Sequence, residues 1–184
     1  MTMAKGLVIW LTGMSGAGKS TTAYLLEQRL RTVGITQIEV LDGDVVRTHL
    51  CKGLGFSKED RDENVRRIGF VCELLARNGV AVIVAAISPY RAARDVVRTR
   101  VEASNGATFI EVHVDCALAL LVERDVKGLY KKALAGEIAL FTGVSDPYEA
   151  PLAPEIRIDS GSETAEEGVN KIWNTLVKKG VLAA

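Results

Sequence analysis

Gly13-Met14-Ser15-Gly16-Ala17-Gly18-Lys19-Ser20 matches the pattern G-x-x-x-x-G-K-[ST]. Glycines at these positions let successive backbone N–H groups turn inward on phosphate oxygens. Lys19 is spaced to reach β- and γ-phosphates, and the Ser20 hydroxyl to coordinate Mg²⁺. The loop therefore predicts a nucleotide phosphate site. It is not the dinucleotide fingerprint, because Gly13, Gly16 and Gly18 are spaced wrongly for G-x-G-x-x-G. Asp42 and Asp44, in Leu41-Asp42-Gly43-Asp44, supply carboxylates. Asp44 is suited to accept a proton from an attacking hydroxyl or to help place Mg²⁺ through water. The plain structural alternative is an Asp-Gly turn followed by a helix N-cap.

Other residues point at anions. Arg61 and Asn64 share a helical face with Val65, Ile68, Cys72 and Leu75, so both are expected to turn inward. An inward arginine needs an anion or a carboxylate partner. Arg47 is a second cation near the same edge. In contrast, Asp62/Arg66 and Glu63/Arg67 read as solvated i,i+4 pairs. Arg124, Lys127, Lys131 and Lys132 form a cationic cluster, of which one or two members are expected to close over polyphosphate. Phe56 and Phe141 lie in Gly-flanked, loop-like contexts. They are either core residues or a pair that sandwiches a flat base.

The elements that must position these groups alternate in type. Leu7–Thr12, Ile38–Leu41, Ala81–Ile87, Thr108–Asp115 and Ile156–Asp159 read as strands. Continuous rather than alternating apolarity, as in Leu7–Thr12 and Ala81–Ile87, marks strands buried on both faces, as in a parallel sheet. Ser20–Val33, Ser57–Asn78, Arg91–Ala103, Ala117–Asp125 and Thr164–Lys179 read as helices. Ser57 and Asp60 stand at capping-box spacing. The pattern predicts an α/β fold: about five mostly parallel strands with helices on both faces. Lys127–Pro154 breaks the rhythm and reads as a lid over the site. Asp42 and Asp44 then fall just past the second strand, at the carboxyl ends where open α/β sheets bind ligands. No linker divides the 184 residues, so a single domain spanning 1–184 is expected, with the lid at about 127–154.

Composition excludes several classes. Lys plus Arg and Asp plus Glu both total 23, so the formal net charge is zero. That counts against nucleic-acid binding through overall basic character and against an acidic tail. Cys51, Cys72 and Cys116 are single and odd in number, which gives no disulfide framework. With His49 and His113 also isolated, no zinc site is expected. The longest apolar run, Val80–Ile87, is too short to span a bilayer. The chain passes from Lys5 straight into a strand-like run without a signal-peptide pattern, so a cytoplasmic location is expected. Asn170-Lys171-Ile172-Trp173 places Trp173 where a guanine-reading N-K-x-D motif needs Asp, which disfavours a GTPase.

Taken together, the segments resemble the adenylylsulfate kinases. The matching pieces are 9–22 (IWLTGMSGAGKSTT), 41–47 (LDGDVVR), 55–69 (GFSKEDRDENVRRIG), 87–91 (ISPYR), 124–137 (RDVKGLYKKALAGE) and 141–151 (FTGVSDPYEAP). The resemblance covers nearly the whole chain, and the last four pieces are far more specific than the glycine loop. It implies a three-layer P-loop fold and transfer of the γ-phosphoryl group of ATP to the ribose 3′-hydroxyl of adenosine 5′-phosphosulfate (APS). The residues from Gly13 to Ser20 and Thr21 would hold ATP with Mg²⁺. Asp44 matches the family's proposed base, with Asp42 nearby, and Lys127 a lid lysine at the transferring phosphate. Arg47, Arg61 and Asn64 match APS contacts, and Phe56 and Phe141 the rings flanking its adenine. Ile87 and Ser88 match the substrate-side loop, Leu129 a substrate contact, and Arg124 an arginine near the ATP base. The serine at the Ser88 position is also described in the family as a phosphoserine intermediate. Direct transfer is the preferred reading, because nothing beside Ser88 in the sequence is an evident activating base. A homodimer and a functional partnership with ATP sulfurylase are further implications; no membrane or nucleic-acid partner is implied. Met14 replaces the family's usual Leu, a volume-conserving change. The rival readings are another small-metabolite kinase on the same fold, a catalytically silent nucleotide-binding subunit, and a nucleic-acid-end kinase.

Overall fold

The computed structural model of the chain describes residues 6–104 and 106–182. The first five residues, on which the absence of a signal-peptide pattern was partly read, lie outside them. Five parallel strands form one sheet in the order β2-β3-β1-β4-β5. They are β1 (Leu7–Thr12), β2 (Ile38–Asp42), β3 (Ala81–Ala85), β4 (Thr108–Asp115) and β5 (Ile156–Asp159). The central strand β1 is buried along its whole length, which is why its sequence shows no polar alternation. Leu7, Ile9 and Leu11 belong to one core, and Val8 and Trp10 to the other.

On the first face lie α1 (Lys19–Thr32) and α7 (Ala165–Lys178), joined to the strands through Leu26, Leu30, Ile172 and Leu176. On the second lie α3 (Lys58–Ala76) and α4 (Arg91–Ala103), through Ile68, Cys72, Val97 and Val101. These three layers agree with the predicted α/β architecture. At Gly69 α3 approaches α4 so closely that a Cβ would sit 2.4 Å from Val97 Cγ2. No helix among the described residues is long and apolar enough to cross a membrane.

The structure also departs from the expectations. A short helix whose extent the sequence did not show, α2 (Gly43–Thr48), follows β2 directly, with Asp42 as its N-cap accepting from the Asp44 N–H at 2.9 Å. Both the turn-and-cap reading and a place beside the phosphate loop therefore hold for this pair. Of the expected capping box only half forms. Ser57 Oγ accepts from the Asp60 N–H, but the Asp60 carboxylate instead accepts from the Gly55 N–H at 3.0 Å. The pairing expected between Asp62 and Arg66 is replaced. Arg66 and Arg67 both bind Glu63, and Asp62 binds Lys58, because the i,i+3 reach from Glu63 is as short as i,i+4. α5 (Leu118–Arg124) precedes the segment expected to form a lid, which contains a short helix, α6 (Leu129–Leu134). Asp125 starts that helix by accepting from the N–H groups of Tyr130 and Lys131.

Candidate active site

The glycine loop joins the carboxyl end of β1 to the N-terminus of α1. Gly13 has φ +152°, and a Cβ there would lie 2.2 Å from the Val114 carbonyl oxygen on β4. Only glycine lets the loop leave the sheet so close to the neighbouring strand. Gly18 adopts a left-handed conformation, φ +99°, immediately before α1. This aims the first N–H groups of the helix and its dipole at the loop.

Lys19 is folded back over this loop, donating to the Gly13 and Met14 carbonyls, each at 2.9 Å. Its pKa falls from 10.5 to about 8. Burial is the larger cause and the charge of Lys127 the next, against the pull of Asp42 and Asp44. Ser20 Oγ donates to Asp42 Oδ2 at 2.6 Å, and Lys127 reaches Asp44 Oδ2 at 2.6 Å. The loop thus holds the Lys19 ammonium on backbone carbonyls, while Asp42 is bridged to the Ser20 hydroxyl and Asp44 to Lys127.

A cleft of ≈ 590 Å³ opens beside the loop, within the usual range for small-molecule sites. Ser15, Gly16, Gly18, Lys19, Ser20 and Thr21 line one part of it, together with Asp42, Asp44, Lys127 and Leu129. Arg47, Phe56, Arg61, Asn64, Ile87, Ser88 and Phe141 line the rest. The structure thus brings most of the expected residues to one cavity. Gly13, Met14 and Ala17 shape the loop from behind and do not line it. Arg124 does not line the cleft but an adjoining small hollow that shares Ser15, Gly16 and Lys127 with it, and it donates to the Ser160 carbonyl at 3.0 Å. Lys131 and Lys132 are exposed and do not line the cleft.

Arg61 and Asn64 are buried, as their helical face required. Arg61 donates to the Phe56 carbonyl, to Thr142 Oγ1 at 2.8 Å and to the Leu140 carbonyl, and Asp146 Oδ2 stands 3.7 Å from its Nε. Asp146, which also accepts from Tyr90 Oη, is the carboxylate partner that an inward arginine needs. Asn64 Oδ1 is buried without a hydrogen-bond partner, an arrangement that calls for a donor from a ligand. Arg47 and Arg61 sit 4.5 and 5.5 Å from the Phe56 ring centroid. Burial, and then the neighbouring Arg61 charge, lowers the pKa of Arg47, so an anion placed between the two would be stabilised. Phe141 meets Tyr130 edge-on at 5.0 Å, and the Tyr130 hydroxyl donates to the Ser15 carbonyl at 2.8 Å. Sequence reasoning missed Tyr130, which ties lid helix α6 to the phosphate loop. Its signal was an aromatic set among the cations Lys127, Lys131 and Lys132.

Ser88 has φ +42° and is buried. Its hydroxyl accepts from Trp10 Nε1 at 2.9 Å and approaches the Ala86 carbonyl at 3.3 Å. Neither contact is a base.

The model of the family described as adenylylsulphate kinase matches residues 5–159. The chain belongs to the adenylylsulphate kinase family. An adenylyl-sulfate kinase of Rippkaea orientalis is 60% identical over 179 residues, covering 97% of this chain and 96% of that protein. A probable bifunctional SAT/APS kinase of Sorangium cellulosum is 56% identical, covering 95% of this chain and 29% of its own length. The solved structure of an APS kinase from Mycobacterium tuberculosis, in complex with AMPPNP and APS, is 43% identical with a TM-score of 0.88. It covers 94% of this chain and 98% of that one. Membership in this family agrees with a cleft that combines a phosphate loop with a separate cationic end.

Proposed function

We propose that this chain transfers the γ-phosphoryl group of ATP to the ribose 3′-hydroxyl of APS, giving ADP and 3′-phosphoadenosine 5′-phosphosulfate. The observation that carries the reading is that one cleft contains both the glycine loop and a second end where Arg47 and Arg61 flank Phe56 beside the unpartnered Asn64 Oδ1. Such an end suits a flat base that carries an anionic tail rather than a small carboxylate with no base to stack. The mycobacterial relative bound to AMPPNP and APS supports the same pair of substrates.

The acceptor oxygen attacks the γ-phosphorus, an O–P bond forms, and the bond to the β–γ bridging oxygen breaks with its electron pair leaving on ADP. Lys19 moves from the carbonyls of Gly13 and Met14 to the β- and γ-phosphates. Lys127 exchanges Asp44 for the transferring group, which frees the Asp44 carboxylate to take the 3′-hydroxyl proton. Phe56 and Phe141 flank the adenine of APS, with Ile87, Ser88 and Leu129 closing on the same substrate. The residues also fit Mg²⁺. The Ser20 hydroxyl and the Asp42 and Asp44 carboxylates are hard oxygen donors, and no group of three or more His, Cys, Asp or Glu forms a protein cage among the described residues. That suits an ion held largely by phosphate and water. When bound, it would neutralise charge on the β- and γ-phosphates. A cytoplasmic homodimer is part of the proposal, on the family resemblance. The bifunctional relative supports a partnership with the ATP sulfurylase that would supply APS.

Coupled ADP release tests the reading. ATP turnover is expected with APS. Turnover with shikimate, gluconate or nucleoside monophosphates but none with APS would sink it.

A further inference from the structure

Beneath the acceptor end of the cleft lies a buried charge that none of the steps above uses. Arg94, on α4, is 1% exposed. Its Nε donates to Glu111 Oε1 on β4 at 2.7 Å. Its other two nitrogens donate to backbone carbonyls: Nη1 to Ser88 at 2.6 Å and Nη2 to Glu149 at 2.7 Å. The Ser88 carbonyl belongs to the residue held at φ +42° in the cleft wall. Left-handed backbone at a residue other than glycine persists only where surrounding contacts over-determine it. The Glu149 carbonyl belongs to the later part of the 127–154 segment, beyond α6. That segment is itself pinned to the Ser88 loop, since the Glu149 N–H donates to the Pro89 carbonyl at 2.8 Å and Glu149 Oε2 accepts from the Arg91 N–H at 2.8 Å.

A guanidinium is suited to this task. Its donors diverge in a rigid plane, so one side chain can fix two separate chain segments against a carboxylate anchor. Glu111 is itself held, with Arg98 3.5 Å away and its N–H donating to Glu155. The anchor therefore rests on the sheet. We infer that Arg94 is a positioning residue that sets the acceptor wall of the cleft, holding Ile87 and Ser88 against the stretch around Glu149 without touching either substrate. The inference rests on the proposed function, in which Ile87 and Ser88 face APS.

Steady-state kinetics on the full chain tests it. Wild-type turnover with APS is measured first, and its absence sinks the functional reading rather than this one. Removing both buried charges with Arg94→Met/Glu111→Gln avoids leaving one unpaired. KM for APS is expected to rise about tenfold or more while KM for ATP stays within about twofold, the mark of misplaced geometry on one side of the site. Glu111→Gln alone keeps both carbonyl contacts but leaves the Arg94 charge without its carboxylate, so a rise in KM for APS clearly smaller than that of the double variant is expected. Where the double variant does not fold, Arg94→Lys decides. It keeps the charge beside Glu111 but cannot hold both carbonyls, so a selective rise in KM for APS is expected. Unchanged KM for APS in the folded double variant, or in Arg94→Lys where that one decides, overturns the inference. So does an equal rise in both KM values, or a rise of the same size in Glu111→Gln.

Discussion

Lys19 carries the most telling chemistry at the scale of single residues. In solution a lysine holds its proton to about pH 10.5, whereas burial against the glycine loop brings Lys19 down to about 8. Between those values the unfolded chain binds more protons than the folded one, so this group makes the ligand-free protein more stable as pH rises from about 8 towards 10.5. Bound triphosphate reverses the balance, because its negative charge favours the ammonium. ATP binding near pH 8.5 is therefore expected to take up protons, and affinity to weaken as pH climbs through 8. Calorimetric titration in two buffers of different ionisation enthalpy reads the uptake directly; proton release, or no exchange, contradicts the geometry. Ser88 shows the opposite situation. Its hydroxyl is occupied by the Trp10 indole and lacks a base, which supports direct transfer over a phosphoserine.

Among the elements, α3 matters most to the cleft, because its N-terminal half carries Arg61 and Asn64. It is held against α4 at Gly69, where a methyl group would meet both Val97 γ-carbons, at 2.4 and 3.0 Å. Gly69→Ala gains about 1 kcal/mol of helix propensity. Forcing two packed helices apart costs about 1–3 kcal/mol. The steric effect is expected to win, lowering the urea midpoint at unchanged slope; a raised midpoint would mean that the helices separate freely. These elements were legible because their signals are local. Continuous apolarity marked β1 and β3, and the stripe Val65-Ile68-Cys72-Leu75 turned Arg61 and Asn64 inward. Helices α2 and α6 were missed because six residues are too few to display a period. Arg94 was overlooked although it stands on the buried stripe of α4 with Val97 and Val101. Its carboxylate partner lies 17 residues away and the Glu149 carbonyl 55 away, so only the fold brings them together.

For the molecule as a whole, the zero net charge turns out to be an average over unlike regions. Lys19, Arg47, Arg61 and Lys127 all line one cleft with only Asp42 and Asp44 among them. Acids elsewhere are engaged locally: Glu27 with Arg31, Glu102 with Arg98, and Glu167 in the cap of α7 with Thr164. Glu166 shares the first turn of α7, where a negative charge complements the helix dipole. A protein without net charge exerts little long-range pull on an anion. Its attraction for ATP and APS must act within the cleft, over distances comparable to the Debye length of roughly 10 Å at 0.1 M salt. Raising ionic strength from about 0.05 to 0.5 M, which shortens that length several-fold, is therefore expected to raise KM for APS while leaving kcat nearly constant. Arg47→Met is expected to raise KM at low salt and to flatten the dependence, because Arg47 is the partly exposed member of the arginine pair and so the more easily screened. A KM for APS that is independent of salt in the wild type would mean that stacking on Phe56 and Phe141, not the cationic end, holds the acceptor.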